Sequence, residues 1–337
     1  MLKEKIEVSF AYRLERSKII LFLALLLPVG LWSEGSFGAG QSSQSYKYLL
    51  KPYIEAPGYE VNIKSQESGR QLTWVPNSTG LIGVDLYIKD LIGFGLGLKT
   101  QLSKEDQVKR GSTEYRDWRL SLAYPRVHLA LNYQSYQGFY LRDTATVNPS
   151  WSDSEPYLLA PALVSENASI TATYIFSPER FSLVSVLDQT ERQTKSGGSW
   201  LAGGSLARSS LANTEAIIPV AVQSDFGRDA QLEKAEFYSL MARGGYGYTV
   251  ALFEDFFASA TGLLGLGYQI GSFSTSTESK RKSEIVPRID FLLGLGYNGP
   301  RFVAGGSLAF ESTDYKTESI EIPSTLYDIK VYVGGRF

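Results

Sequence analysis

The sequence has 337 residues, no cysteine, one histidine and a formal net charge of −2 at pH 7. These numbers exclude disulfides, thiolate metal sites and multi-histidine metal sites, and they leave no basic footprint for nucleic acid. We therefore expect no metal and no cofactor. The 32 Gly and 21 Tyr residues favour many short strands over helices.

The chain begins with a targeting pattern. Basic residues precede an apolar run over residues 19–31, and small residues follow it. This run is shorter than the ~20 residues that a helix needs to cross a bilayer, so a secretory signal peptide is favoured over a retained anchor. We predict that residues 1–39 are removed, that 40–58 form a periplasmic lead-in, and that 59–337 form the folded domain.

Apolar and small or charged residues alternate with a period of two along the rest of the chain. In residues 81–88, for example, branched aliphatic residues alternate with Gly83, Asp85 and Tyr87. No apolar run after the leader is long enough for a membrane-spanning helix. We predict an all-β fold, a transmembrane antiparallel up-and-down β-barrel. The candidate lumen-lining residues, on the polar face, are Asp85, Lys99, Arg119, His128, Arg288, Asp290 and Lys330.

The predicted strands are joined alternately by very short turns and by long charged loops. The turn at 125–126 is one of the short ones, and 103–116 and 271–284 are two of the long ones. Outer-membrane barrels have this layout, with short periplasmic turns and long extracellular loops. Aromatic residues near strand ends, including Trp118 and Trp200 towards the long loops, predict two interfacial girdles.

The number of strands follows from closure of the sheet. Lipid offers no hydrogen-bonding partner for a free strand edge, so the sheet must close into a barrel. We predict about 14 strands, among them 59–65, 181–190 and 215–223. The alternative is about 12, if 215–223 and the N-terminal strand lie outside the wall.

The C-terminus resembles an assembly signal. Val331 and Val333 share one face of the last strand, and the chain ends at Phe337. This ending resembles the signal that the outer-membrane barrel assembly machinery reads, although Gly335 stands where a bulky residue is usual. We expect the assembly machinery and periplasmic chaperones as biogenesis partners, and a final location among the lipids of the cell outer membrane.

Two connections contain candidate binding residues. Arg192 and Lys195, in a turn that we predict at the outer end, offer positive charge to a phosphate or sugar, for example of lipopolysaccharide. The alternative is a solvated turn with local ion pairing. The longest predicted loop, 141–166, contains Trp151 and Tyr157. It is expected either to enter the lumen as a constriction or plug, or to cap the barrel from outside.

Several segments taken together resemble a known family. They are Val75-Pro76-Asn77, Gln137-Gly138-Phe139-Tyr140, residues 191–199, Ile218-Pro219 and residues 244–248. Their order resembles the domain of unknown function 4421, a bacterial family, over roughly residues 45–337. The resemblance implies an outer-membrane barrel and supplies no activity and no catalytic residues.

Three functions are compatible with such a barrel. We expect a passive pore for small polar solutes, because about 14 strands leave room for an aqueous lumen; the same charges paired across a filled interior would instead close it. The alternative is a non-conducting surface anchor whose loops bind lipopolysaccharide, a partner protein or another cell. A lipid hydrolase is disfavoured, because His128 follows the turn at 125–126 and is expected near the periplasm. We expect no enzyme.

Overall fold

A computed structural model describes residues 41–42, 46–77, 80–89, 91–100, 102–253, 255–275 and 278–337. The predicted signal peptide lies outside the described residues. The strands are β1 (Gln41–Ser42), β2 (Tyr48–Tyr59), β3 (Val61–Ser65), β4 (Gln71–Pro76), β5 (Leu81–Ile88), β6 (Ile92–Lys99), β7 (Glu114–Ala123), β8 (Val127–Leu141), β9 (Leu158–Ile175), β10 (Arg192–Gln193), β11 (Gly197–Ala212), β12 (Lys234–Leu252), β13 (Phe256–Ser274), β14 (Ser279–Asn298), β15 (Phe302–Lys316) and β16 (Ile320–Arg336).

Helices are few and short. The α-helices are α1 (Lys104–Arg110), α2 (Thr144–Val147) and α3 (Leu183–Leu187), and 3₁₀ turns cover Val220–Asp225 and Gly227–Asp229. No helix in the described part of the chain is long and apolar enough to cross a membrane.

Twelve strands close into an antiparallel barrel. The first wall strand, β2, joins the last, β16, because Tyr53 pairs with Tyr332 on one side and with Gly83 of β5 on the other. The Lys47 N–H donates to the Phe337 carbonyl at 2.7 Å, so both ends of the described barrel meet at the short turns. We name this the lower end and the opposite one the upper end. The predicted up-and-down barrel is confirmed, with the smaller of the two strand numbers.

Two predicted strands are not strands, which corrects the count. Residues 181–190 form α3 and a loop, and 215–223 form an irregular segment followed by the start of a 3₁₀ turn. Both segments bury several apolar side chains inside the barrel, among them Phe181, Val186, Ile217 and Ile218. A short apolar run of this kind looks the same in sequence whether it becomes a strand or a buried helical turn.

The N-terminal boundary is also corrected. Wall strand β2 begins at Tyr48, so the segment predicted as a periplasmic lead-in contains most of a wall strand. Pro52 and Pro57 lie within β2, where each removes a donor from the hydrogen-bonding ladder. Both prolines are tolerated here within the β2–β5 and β2–β16 pairings.

Because residues 181–190 do not cross the barrel, strand β11 runs in the direction opposite to the predicted one. Without that crossing, the chain stays at the lower end between β9 and β11. Trp200 therefore lies near the lower end, against Tyr246 at 5.3 Å between ring centroids, and not towards the long loops as predicted. Residues 215–223 do not cross the barrel either. Strand β12 and the strands after it therefore run in their predicted directions.

The apolar pattern reverses along the long strands, as β12 shows. From Leu240 to Val250 the even-numbered side chains, among them Leu240, Tyr246 and Val250, point outwards and are exposed, while Arg243 points inwards. Above them Phe237 is buried inside the barrel and Lys234 is exposed outside. At the usual strand rise and tilt, Leu240 to Val250 covers roughly 25 Å of height, which matches the apolar band of a membrane barrel. The upper end is thus a head with an apolar core and a polar exterior.

The ring narrows towards the upper end. Strands β5, β6 and β7 are short, and above them the β3–β4 hairpin bridges β16 to β8. The upper ring therefore consists of β3, β4, β8, β9 and β11–β16. Strand β8 changes partner at Gly138, where a bulge with φ of 91° interrupts its register with β9. This glycine belongs to the Gln-Gly-Phe-Tyr segment noted in the sequence.

Candidate functional site

The upper end is filled by the β11–β12 connection, residues 213–233, which we name the upper plug. Its side chains Ile217, Ile218 and Phe226 are at most 1% exposed. They belong to one apolar cluster with inward-facing residues of β2, β3, β4, β8, β9, β11, β12, β13 and β16. Because these strands lie around most of the ring, the plug occupies the mouth of the barrel.

A buried carboxylate fastens the upper plug to the β15–β16 turn. Asp229 accepts hydrogen bonds from the Thr317 hydroxyl at 2.5 Å and from the Ser319 N–H and hydroxyl, both at 3.0 Å. Burial by itself raises the pKa of Asp229, but these hydrogen bonds outweigh it and hold the pKa below the usual range. Asp225 adds an ion pair to Arg70 in the β3–β4 hairpin.

The lower end is filled by the β9–β11 connection, residues 176–196, which we name the lower plug. Phe181, Leu183 and Val186 are buried against inward-facing apolar residues of β9, β11 and β13. Gly294 of β14 makes room for this plug, because a Cβ there would lie 2.9 Å from Cγ1 of Val186. The apolar cluster at this end is much smaller than that of the upper plug.

Polar groups bind the lower plug to the wall. Lys51 Nζ donates to Gln189 Oε1 at 2.7 Å, and the Tyr87 hydroxyl donates to Asp188 Oδ1 at 3.1 Å. His128 Nε2 lies 3.5 Å from Asp188 Oδ2. Further ties join the plug to Asn298, Asp255 and Arg336. The lower plug is therefore held mainly by hydrogen bonds and charge pairs.

A chamber of about 430 Å³ lies between the plugs. Leu183, Leu187 and Asp188 of the lower plug form part of its floor. Its ceiling includes Tyr59 and Tyr136, whose stacked rings are 4.6 Å apart at their centroids. The chamber is thus an internal compartment below the upper apolar cluster.

Two clusters of paired charges line the chamber. In the first, Arg119 lies 2.6 Å from Asp117 and also pairs with Glu55, while Lys330 Nζ lies 2.8 Å from Asp85 Oδ2. In the second, Asp290 accepts from Arg243 at 2.5 Å and from Arg288 at 2.7 Å. Arg288 also contacts Glu311 at 2.6 Å.

Six of the seven candidate lumen residues lie in the lining of the chamber. Asp85, Arg119, His128, Arg288, Asp290 and Lys330 line the chamber. Lys99 does not, because its Nζ donates to the Thr113 carbonyl at 2.9 Å, near the upper end of β6. Sequence reasoning missed Glu55, Arg243 and Asp188. Arg243 could have been found, because it lies on the strand face opposite to Leu240 and Tyr246. Asp188 was hidden in a segment predicted as a strand, and Glu55 lies in a strand interrupted by prolines.

The loop candidates fall at opposite ends. Trp151 and Tyr157 lie at the upper end, 4.9 Å apart at their ring centroids, and do not line the chamber. This geometry fits the cap alternative for the 141–166 loop, while the plug is a different segment. Arg192 pairs with Asp255 at the lower end, and Lys195 is exposed there. Their predicted position at the outer end is wrong, because no strand crosses between β9 and β11.

The C-terminal candidates face outwards. Val331, Val333 and Phe337 are 59%, 57% and 73% exposed on the apolar outer surface. Their role as an assembly signal stays a prediction. Among the described residues, no group of three or more His, Asp or Glu side chains is arranged to hold a metal ion.

These features define a plugged β-barrel with an apolar outer surface and a polar internal chamber. The chain belongs to the family of the domain of unknown function DUF4421, which it matches over residues 42–337. The resemblance noted in the sequence is therefore confirmed. No curated protein matches the sequence significantly.

Several solved outer-membrane barrels are similar to the chain at low identity and low TM-score. The chain is similar to the outer membrane protease OmpT from Escherichia coli, with 8% identity, a TM-score of 0.40, and coverage of 88% of this chain and 99% of that one. Ail, the attachment invasion locus protein of Yersinia pestis, has 17% identity and a TM-score of 0.24, with coverage of 63% of this chain and 97% of that one. The P. putida toluene transporter TodX has 10% identity and a TM-score of 0.27, with coverage of 86% of this chain and 90% of that one. Likenesses this distant indicate nothing about activity.

Proposed function

We propose that the protein is an outer-membrane barrel that admits small polar solutes to a gated lumen. The observation that supports this proposal is the internal chamber above the lower plug, whose lining includes paired charges and rows of hydroxyl and amide side chains. The exposed apolar band supports the outer membrane as its location and lipids as its surroundings, with the lower end periplasmic. The assembly machinery and periplasmic chaperones remain the proposed biogenesis partners.

We propose that the lower plug is the moving part. The upper plug is embedded in a large apolar cluster, and exposing that cluster to water would cost about 25 cal/mol for each Å². The lower plug is held mainly by polar contacts, such as those of Lys51 and Asp188. Water can replace much of a polar contact, so opening this end costs less.

Conductance in a planar bilayer tests the proposal. Four refolded forms are compared: the parent residues 40–337, deletions of 179–194 and of 215–231, and the double deletion. We expect the parent and both single deletions to be nearly silent, since one plug remains, and the double deletion to give steady openings. A heat-modifiable gel shift confirms that each form is folded.

Two outcomes would contradict this function. A parent protein that is open at all voltages would mean that the plugs do not close the lumen. A folded double deletion that stays silent would mean that the chamber is not part of a continuous path.

The second candidate is a surface anchor, and the upper head favours it. The head carries an aromatic cluster in which Tyr157 lies 5.0 Å from Tyr140 and 4.9 Å from Trp151, with Lys109 and Arg110 beside the rings. Removing residues 145–156 would weaken binding to vesicles that contain lipopolysaccharide and leave the double-deletion conductance unchanged. Equal vesicle binding by the trimmed protein would refute this candidate.

We also propose that the barrel is not an enzyme. His128 lies in a buried contact with Asp188 of the lower plug, far along β8 from the upper end. A lipid substrate in the outer leaflet is out of reach from this position, and a general base must reach the proton that it removes. Phospholipase activity of the refolded parent, lost in His128→Ala, would refute the proposal.

A further inference from the structure

One wall of the chamber is uncharged and hydrogen-bonding. Strands β8, β9 and β11 are neighbours, and their inward positions fall into cross-strand rows: Gln134, Asn167 and Ser209; Asn132, Ser169 and Ala207; and Ala130, Thr171 and Ser205. Adjacent strands are about 4.8 Å apart, so the rows present amides and hydroxyls at that spacing. The side chains are small, which leaves the space of the chamber in front of them.

Several polar groups of the chamber are buried without a partner among the described residues. They are the hydroxyls of Ser205, Thr261 and Thr313, which are 5%, 5% and 8% exposed as residues and all line the chamber. A buried polar group without a hydrogen bond costs about 1–3 kcal/mol, so these hydroxyls favour any guest that can bond to them.

The four main cationic side chains of the chamber are already paired with carboxylates. Arg119, Lys330, Arg243 and Arg288 each have a carboxylate within 2.8 Å. A charged guest would have to break one of these pairs and leave a buried charge behind, which is strongly unfavourable. The hydroxyls of Ser205, Thr261 and Thr313 therefore supply uncharged hydrogen-bonding capacity, beside single unpartnered atoms of Asp328 and Arg243.

We infer that the chamber is a binding site for a small uncharged polyhydroxy compound, of the monosaccharide class. Hydroxyls that donate and accept match the amide and hydroxyl rows, and the ring of a sugar fits below the Tyr59–Tyr136 ceiling. The volume of about 430 Å³ lies in the range of small-molecule sites, about 300–1,000 Å³. This inference rests on the proposed function, because a guest enters only when a plug moves.

The test is equilibrium dialysis with three labelled probes that share one ring and differ in charge: glucose, glucuronate and glucosamine. The refolded parent is kept in a detergent without a sugar headgroup. We expect saturable binding of glucose, at least fivefold tighter than that of either charged probe. No saturable glucose binding, or tighter binding of a charged probe, would overturn the inference.

Adjacent residues of β9 provide a matched pair of variants. Thr171 faces the chamber and Ala172 faces outwards. We expect Thr171→Leu to weaken glucose binding at least tenfold and Ala172→Leu to leave it unchanged. Asn132→Leu, on the neighbouring strand, serves if Thr171→Leu does not fold. Unchanged glucose binding in a folded chamber-facing variant would place the sugar elsewhere.

The outcomes separate this site from the gated lumen. Openings of the double deletion without glucose binding by the parent would keep the proposed function and reject the sugar site. Glucose binding by the parent together with a silent, folded double deletion would keep the site and reject the conducting lumen.

Discussion

At the scale of single residues, Gly138 decides where the barrel changes its perimeter. Its φ of 91° lies in a region that side chains other than glycine rarely adopt, and a Cβ there would clash with the Ser112 carbonyl. The Thr113 hydroxyl donates to the Gly138 carbonyl at 2.6 Å and accepts from the Asn77 N–H at 2.7 Å. The bulge is thus joined to the ends of β4 and β7.

We expect Gly138→Ala to lower the free energy of unfolding by about 1–3 kcal/mol, the usual cost of a strained backbone position. Urea titration of the barrel in lipid vesicles measures the change. Gly262→Ala is the matched control, since no atom lies within 4 Å of its added Cβ. Equal effects of the two substitutions would contradict the role given to the bulge.

Asp229 makes the upper plug sensitive to acid. A carboxyl whose pKa is lower in the folded protein stabilises the fold above its unfolded pKa of about 3.9, and this contribution is lost as the pH falls through the folded value. We expect amide protection across residues 217–232 to fall below about pH 4. Asp229→Asn should lower that protection about tenfold at pH 7 and remove the acid dependence.

Hydrogen exchange followed by mass spectrometry, corrected for intrinsic rates, measures both effects. Asp153→Asn, at an exposed position in the loop after α2, is the control. An unchanged acid response in Asp229→Asn would assign the pH dependence to another group.

At the scale of elements, the two plugs differ in how they are held. The upper plug is packed in the large apolar cluster, with one buried carboxylate as a polar tie. The lower plug carries α3 and has polar ties to β2, β5, β8, β14 and β16. Water can replace polar contacts at a lower free-energy cost than apolar packing, so the lower plug is expected to open first.

Overfilling the space beside α3 tests this difference. We expect Gly294→Val to displace Val186 and to raise amide exchange across residues 181–190 at least tenfold, with residues 217–232 unchanged. Gly262→Val is the control, because its position is open. If exchange rose equally in both plugs, the plugs would form one cooperative unit and the proposed order of opening would be wrong.

At the scale of the whole molecule, the barrel consists of a lipid-facing band and a polar-surfaced head. Apolar residues point outwards in the band and inwards in the head, as Leu240 and Phe237 of one strand illustrate. Charged residues such as Arg208 and Glu236 pair on the outer surface above the band. The membrane boundary is therefore expected near the Trp118–Tyr133 contact, where the rings are 5.2 Å apart.

Brominated lipids test this boundary in variants of residues 40–337 that retain one tryptophan each. Trp118 and Trp200 are 56% and 66% exposed on the outer surface, whereas Trp74 is 3% exposed inside the head. We expect strong fluorescence quenching of the first two and little quenching of Trp74. Equal quenching of all three would mean that the band is not embedded in lipid.

Much of the barrel could be predicted locally, because the face on which a strand residue lies depends only on its position in the alternation. This property identified the outward surface and six of the seven predicted lumen residues, including Arg119 and Asp290. The proline-interrupted β2 and the Gly138 bulge were harder to assign, since each breaks a local rule and is stabilised by partners distant in sequence.

The sequence by itself determined a closed barrel with an apolar exterior, because alternation is a local property and lipid offers no hydrogen-bonding partner for a free strand edge. Only the tertiary structure decided which apolar runs enter the lumen. Residues 181–190 and 215–223 pack buried apolar side chains against wall strands, and this packing replaces the strand that their composition predicted. The plugs, the chamber and the end at which Arg192 lies all follow from contacts between segments far apart in the chain.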